Sequence, residues 1–270
     1  MAFQSELAVA LEAVATAGDH IMKIYRDFKA IPDAKADITT DADRQAQEII
    51  LKRIHQSFPA DRLCAEESTP TLDLSPKKGS RMWVVDPIDG TRGFAQKNGE
   101  FSIMVGLLDG DEVVLGVVAE PANGRLTYAS KGNGCWMKDE GLTDPKPCRV
   151  TQQEEVNGAT LIQSRSKPGV VSTQVKVLGP ARIVETHSAG IKLARVARGE
   201  ADIYVNHYPK FFDWDVVAGH VLISEAGGQI SCLNRQPIRY GSDQRESRNG
   251  LLASNNRLFE KALTLLSGAF

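Results

Sequence analysis

Three short segments carry side chains that can do chemistry together: Ala65-Glu66-Glu67-Ser68, Asp86-Pro87-Ile88-Asp89-Gly90-Thr91 and Phe212-Asp213-Trp214-Asp215. The middle one is the centre of the reading. Met82-Trp83-Val84-Val85 is an apolar run with β-branched members and predicts a buried strand. Pro87 lacks the N–H that a continuing ladder needs, which predicts that the strand stops at Asp86. Two carboxylates separated by Pro-Ile can then turn toward one point, with the main-chain carbonyl of Ile88 freed beside them. Gly90 has no Cβ to hold backbone amides away from a ligand, so the amides of Gly90 and Thr91 can face an anion. Carboxylate and carbonyl oxygens are the donors that Mg2+ accepts. Such a turn suits a hard cation together with a phosphate. Asp-Gly and Asp-x-x-Asp are also ordinary turn sequences, so the three segments in combination carry the reading.

The elements that must position these residues follow from periodicity. Apolar residues from Leu7 to Tyr25 form a helical stripe, and Ile49, Ile50, Leu51 and Ile54 lie on a second helix that stops before Pro59. Thr39, Thr40, Asp41 and Asp43 compete to cap that helix. Leu63 to Glu66 reads as a short strand that delivers Glu66. Thr69 to Ser80 has no periodicity and is expected to be a loop gating the site. Phe101 to Leu108 and Val113 to Ala119 predict a hairpin through Asp109-Gly110-Asp111, and Leu126 to Ser130 with Gly134 to Met137 extend an antiparallel pattern. From Asn157 onward short strands and helices alternate: strands 160–163, 183–185 and 203–205, helices 191–198 and 216–226, strands 229–232 and 251–253, and a closing helix from Asn256. The pattern changes near residues 148–158. It predicts an α+β half over 1–155 that bears the acidic turn, and an α/β half over 156–270.

Composition bounds the rest. A net charge of -2 leaves no global basic field for a nucleic-acid polymer, and no apolar run approaches a membrane span. Met1 to Glu12 is amphipathic with acidic members, so no signal peptide is expected. The four cysteines, Cys64, Cys135, Cys148 and Cys232, have no C-x-x-C spacing and read as reduced thiols of a cytoplasmic protein. Cys64, close to Glu66, is either a small buried residue at a strand end or an oxidation-sensitive neighbour of the site. The five histidines are too scattered for a zinc site.

The order Glu-Glu, then Asp-Pro-Ile-Asp-Gly-Thr, then Trp-Asp resembles the signature of the lithium-sensitive, Mg2+-dependent phosphatase superfamily, over nearly the whole chain. That superfamily includes inositol monophosphatases, fructose-1,6-bisphosphatases and 3'(2'),5'-bisphosphate nucleotidases. The resemblance implies a layered α-β-α-β-α sandwich and two or three Mg2+ ions, with the 156–270 half completing the metal site and the substrate pocket. It assigns Glu66, Asp86 and the Ile88 carbonyl to one ion and Asp86, Asp89 and Asp215 to a second, with Asp86 bridging; Glu67 is left as a neighbouring candidate. Asp213, one residue too early for the Trp-Asp motif, is expected to cap. Thr40 and Asp43 match a Thr-x-x-Asp of the relatives in which the aspartate supports the threonine of the turn, here Thr91, in activating water.

The same resemblance extends to the substrate. Thr91-Arg92-Gly93-Phe94 and Asn98-Gly99-Glu100-Phe101 are similar to segments of bacterial nucleotidases of the sulfate-assimilation type, as are Ser164-Arg165-Ser166-Lys167, with Lys167 in place of a histidine, and Ser188-Ala189-Gly190-Ile191-Lys192. They imply substrate contacts from Gly90, Thr91, Lys97, Ser164, Arg165, Lys167, Ser188 and Lys192. The expected substrate is therefore a small phosphorylated molecule, a nucleotide such as adenosine 3',5'-bisphosphate. An inositol phosphate, another sugar phosphate or histidinol phosphate is the alternative. Relatives are monomers or homodimers.

Overall fold

The computed structural model describes residues 2–35, 38–141, 143–165, 169–208, 211–241, 246–247 and 249–269. Two long helices, α1 (Gln4–Asp27) and α2 (Asp41–Ser57), pack on each other and on one face of a seven-stranded sheet. Its strands lie in chain order: β1 (Arg62–Ala65), β2 (Arg81–Asp89), β3 (Ser102–Asp109), β4 (Glu112–Glu120), β5 (Arg125–Ser130), β6 (Cys135–Asp139) and β7 (Lys146–Pro147). The one parallel pair in this sheet is β1 with β2, and between these strands α3 (Pro70–Asp73) makes one turn. After β2 comes the short α4 (Thr91–Ala95).

The second sheet has the order β12-β14-β10-β8-β9, from β8 (Thr160–Gln163), β9 (Arg182–Glu185), β10 (Ile203–Asn206), β12 (Gly228–Ser231) and β14 (Leu251–Asn255). A small ribbon pairs β11 (Phe211–Phe212) with β13 (Glu246–Ser247). Helices α6 (Ala189–Ala197) and α7 (Val217–Glu225) lie between the two sheets, while α5 (Thr173–Leu178) and α8 (Phe259–Leu266) cover the far side of the second. The layers are thus α-β-α-β-α, as the resemblance implies. Among the described residues no helix is long and apolar enough to cross a membrane.

Side-chain parity explains how the layers are filled. In β2, Trp83 and Val85 join Ile50, Leu51 and Ile54 of α2 in one core, whereas Met82 and Val84 face the other way against Val217 of α7. Asp86 keeps that second parity, so its carboxylate points into the middle layer, from which Asp215 approaches. In β10, Tyr204 faces the middle layer while Ile203 and Val205 join Phe259 and Leu263 of α8. Where a sheet is covered on both faces, as along β2, β3 and β4, its strands read as nearly continuous apolar runs, while edge strands such as β7 and β9 are more exposed.

Some expectations are corrected. The central strand does not end at Asp86: the ladder with β3 breaks after the Asp86–Met104 pair and resumes at Asp89–Ser102. Pro87 is accommodated in this bulge, which lets the strand continue without its missing N–H. The segment from Thr69 to Ser80 contains α3 and is tied down: Glu48 accepts hydrogen bonds from the amide of Thr71 (3.1 Å) and its hydroxyl (2.8 Å), and Ser75 Oγ accepts from the amide of Leu63 (2.8 Å). None of its residues lines the cleft described below. Helices α4 and α5, each under two turns, show no sequence periodicity. All four cysteines are buried, and Cys64 sits in an apolar cluster with Met82, Val84, Leu108 and Val217.

Gly106 and Gly116, directly paired across β3 and β4, form the seat of α7. A Cβ at 116 would lie 2.2 Å from the Ala218 carbonyl oxygen and 2.6 Å from Val221 Cγ1, and one at 106 would lie 2.5 Å from Val217 Cγ1. Backbone in contact cannot swing aside, so Gly116→Ala must lift α7 off the sheet. The expected cost is about 1–3 kcal/mol, read as a lower midpoint of thermal unfolding. An unchanged midpoint would show that α7 yields freely.

Candidate active site

Each acidic residue reaches the site from a different element. In the parallel register Ala65 pairs with Val85, so Glu66, the residue after β1, comes level with Asp86 of β2. The bulge then re-aims the chain so that Asp89 also faces inward, and Gly90 takes a left-handed φ of 86°. A Cβ at Gly90 would lie 2.7 Å from the Glu100 carbonyl oxygen, so glycine is required there by both conformation and space. Asp215 comes from the 3-10 turn Asp213–Asp215 that leads into α7, and its carboxylate accepts from the amide of Phe212 at 2.7 Å. Oxygens of Asp86, Asp89 and Asp215 lie within 4.8 Å of one another. Glu66 and the Ile88 backbone line the same cleft, whose volume is about 430 Å³.

The electrostatics of this cluster are those of a group of carboxylates that could hold a cation. Burial, and then the charges of Glu66, Asp89 and Asp215, push the Asp86 carboxyl well above its ordinary range. Burial followed by Asp215 and Asp43 raises Glu66 to about 8, and burial, partly opposed by the Phe212 amide, raises Asp215 to about 7. One oxygen of Asp86, Oδ1, is buried without a hydrogen-bond partner. A buried, unpartnered oxygen among mutually repelling carboxylates is what a divalent cation would satisfy, and the donors are all oxygen, which suits Mg2+.

Asp89 is held differently. It sits at the N-terminus of α6, where its carboxylate accepts from the Gly190 amide (2.7 Å), the Ala189 amide (3.1 Å), Ser102 Oγ (3.1 Å) and Ser188 Oγ. Helix N-termini favour a negative charge. Ser188 also caps α6 by accepting from the Ile191 amide at 2.9 Å. Its hydroxyl is directed at Asp89 and the helix, and Ser188, expected as a substrate contact, is not among the residues that line the cleft.

Next to the cluster, Thr91 Oγ1 lies 2.9 Å from the Ile88 carbonyl and 3.1 Å from Asp43 Oδ1, two acceptors for its single hydrogen. The other oxygen of Asp43 takes the amide (2.8 Å) and hydroxyl (2.6 Å) of Thr40, forming the capping box of α2. Both readings of Asp43 therefore hold at once: it caps α2 and it faces Thr91. It is buried, which raises its pKa against the opposing pull of the Thr40 and Thr91 hydrogen bonds. Asp213 stays outside the cluster; its Oδ2 accepts from the Gly241 amide at 2.8 Å. Glu67 turns to Thr39 Oγ1, at 2.5 Å.

The family model described as inositol monophosphatase family matches residues 3–268. The chain belongs to the inositol monophosphatase family. Membership makes it a metal-dependent phosphatase. A 3'(2'),5'-bisphosphate nucleotidase CysQ from Buchnera aphidicola is 32% identical over 248 residues, 88% of this chain and 89% of the relative. A fructose-1,6-bisphosphatase/inositol-1-monophosphatase from Thermotoga maritima is 31% identical over 228 residues, 80% of this chain and 79% of the relative. In fold, the chain is similar to an inositol monophosphatase from Anabaena, with a TM-score of 0.81 at 24% identity over 100% of this chain and 98% of that one.

The substrate residues implied by likeness to this family are only partly gathered. Gly90, Thr91, Ser164, Arg165 and Lys192 line the cleft. Lys192 is fully buried; its ammonium donates to Ser164 Oγ (2.9 Å), the His187 carbonyl (3.2 Å) and the Thr186 carbonyl (3.3 Å), and burial lowers its pKa to about 8. Arg165 forms a two-pronged ion pair with Glu100, its Nε 2.8 Å from Oε2. Lys97 is not in the cleft: its ammonium donates to the Arg26 carbonyl at 3.0 Å and lies 5.3 Å from the Tyr25 ring centroid. Lys167 lies outside the described residues. Sequence reasoning missed His187, Tyr204, Asn206, Tyr208 and Phe211, which line the cleft from the loop before α6, from β10 and the residues just after it, and from β11. No motif marks them, though His187 directly precedes the Ser188-Ala189-Gly190 segment.

Proposed function

We propose that the protein hydrolyses the 3'-phosphate of adenosine 3',5'-bisphosphate with Mg2+ held by Glu66, Asp86, the Ile88 carbonyl, Asp89 and Asp215. The observation that carries the phosphatase part is the convergence of Asp86, Asp89 and Asp215 beside the Thr91–Asp43 pair. When bound, the metal supplies charge neutralisation at the phosphate and lowers the pKa of a water. The chain's own residues do the rest. Asp89, fixed by the N-terminus of α6, and Asp215, fixed by the Phe212 amide, hold the cluster's shape without rearrangement. Thr91 Oγ1, donating to Asp43, keeps lone pairs with which to accept a hydrogen from the attacking water and orient it toward phosphorus. The amides of Gly90 and Thr91 face the phosphate, and no covalent phosphoenzyme is required.

The nucleotide assignment draws on the cleft wall. Tyr204, Tyr208 and Phe211 line one part and Arg92, Arg165 and Lys192 another, so the cleft offers aromatic surface for a base and positive charge for a second phosphate. A second reading, an inositol-phosphate or related sugar-phosphate phosphatase, is favoured by the Thermotoga maritima relative. A side-by-side assay of adenosine 3',5'-bisphosphate, inositol 1-phosphate, fructose 1,6-bisphosphate and histidinol phosphate separates them. A cleft with a second-phosphate site should favour the nucleotide over inositol 1-phosphate in kcat/KM by about a hundredfold, and exhaustive EDTA treatment should abolish turnover. Preference for inositol 1-phosphate would remove the nucleotidase assignment; turnover that survives EDTA would remove the metal.

A further inference from the structure

Arg92 separates itself from the other cations of the cleft by what it does not touch. Arg165 is neutralised by its two-pronged pair with Glu100, and the three hydrogens of Lys192 are all directed at protein acceptors. Arg92 is exposed and lines the cleft, and no hydrogen bond or ion pair joins its guanidinium to another residue among those described. Its place is equally specific. It follows Thr91 in the first turn of α4, so it stands one residue from the hydroxyl that faces Asp43 beside the carboxylate cluster. His187 lines the cleft on the same wall: burial chiefly lowers its pKa, Glu100 opposes that, and the charges of Arg165, Arg92 and Lys192 add to it. Glu100 is already spent on Arg165 and the His187 amide. Of the three cations Arg92, Arg165 and Lys192, Arg92 alone directs none of its donors at a protein acceptor among the described residues.

We propose that Arg92 is the specificity-determining residue that reads a second phosphate on the substrate, carried on the same sugar as the phosphate being removed. This rests on the nucleotidase reading above and deepens it. A guanidinium offers donors in a planar fork that matches two phosphate oxygens, whereas an ammonium offers only a point charge. With Arg165 and Lys192 committed to protein acceptors, Arg92 provides donors at no cost in broken internal bonds.

The test compares adenosine 3',5'-bisphosphate with adenosine 3'-monophosphate, which differ only in the second phosphate, on the wild type, Arg92→Gln and Arg92→Lys. The wild type is expected to prefer the bisphosphate in kcat/KM. Arg92→Gln should reduce that preference about tenfold or more, chiefly through KM for the bisphosphate, as expected for a charge-assisted contact. Arg92→Lys should keep part of it, because charge remains and the fork is lost. If the wild type prefers the bisphosphate and Arg92→Gln keeps the full preference, Arg92 is not the reader, while the nucleotidase reading stands. Equal losses on both substrates would likewise overturn the proposal, since they would mean that Arg92 acts through Thr91. A wild type that treats the two substrates alike would overturn the nucleotidase reading and this inference together.

Discussion

Replacing Asp86 by asparagine is expected to abolish catalysis while making the metal-free protein more stable at alkaline pH. The two effects have one cause. Asp86 is buried among Glu66, Asp89 and Asp215; burial and then these charges push it toward protonation, and burial with neighbouring carboxylates does the same to Glu66 and Asp215. Without a cation the folded state at pH 8 must either carry that repulsion or take up protons. Asparagine keeps the shape and removes one charge, so repulsion falls. It also removes the ligand assigned to both ions, and activity should fall by a thousandfold or more, roughly 4 kcal/mol of transition-state stabilisation.

The sign of the pH dependence follows from the direction of the shifts. Glu66 moves from an ordinary 4.5 up to about 8 in the folded protein, and Asp215 from 3.8 up to about 7. A group raised on folding binds its proton more tightly when folded, so its contribution is fully present below the ordinary value and is lost as pH rises through the folded value. Metal-free protein should therefore lose stability between about pH 4 and 8, and Mg2+ should raise the unfolding midpoint more at pH 8 than at pH 5.5. Asp86→Asn should flatten both trends. Thermal unfolding at the two pH values, with Mg2+ and with EDTA, measures all of this. A metal-free Asp86→Asn protein with a lower midpoint than wild type at pH 8 would mean that the carboxylates do not repel one another as described.

The parts of this site legible in the sequence are those fixed locally. Glu66 directly follows one apolar strand, Asp86 lies where another meets its bulge, and Asp215 stands at the start of an apolar helix; strand and helix signals lie within a few residues of each ligand. The parts that were not legible depend on contacts distant in sequence. Ser188 serves Asp89 only because α6 brings its N-terminus to a residue 99 positions away. Arg165 is occupied by Glu100, 65 positions upstream. Lys97 takes a left-handed φ of 56° after α4 and sends its ammonium to the Arg26 carbonyl, 71 positions upstream, instead of into the cleft. The bulge at Pro87 needed the register with β3, since proline alone equally signals a strand end. Gly106 and Gly116 look like weak points in two strands until pairing places them side by side under α7.

Thr91 and Asp43 should behave as one catalytic unit in activity and as two separate residues in stability. Thr91→Ala removes the hydroxyl that orients water and is expected to lower kcat by about a hundredfold or more, with the Mg2+ concentration dependence nearly unchanged because the hydroxyl acts on the nucleophile. Asp43→Asn should cause a similar loss, since the amide is a poorer acceptor for the Thr91 hydrogen and cannot take up charge. Because each residue acts through the other, the double variant should lose little more than the worse single one. Stability divides them. Asp43 also closes the capping box of α2 with Thr40, so Asp43→Asn should cost about 1 kcal/mol in unfolding free energy, while Thr91→Ala leaves the cap intact. Kinetics and thermal unfolding on the four proteins of the cycle test both halves. Losses in kcat that multiply in the double variant would show that Thr91 and Asp43 act independently, and the hydrogen bond at 3.1 Å between them would then have no part in activating water.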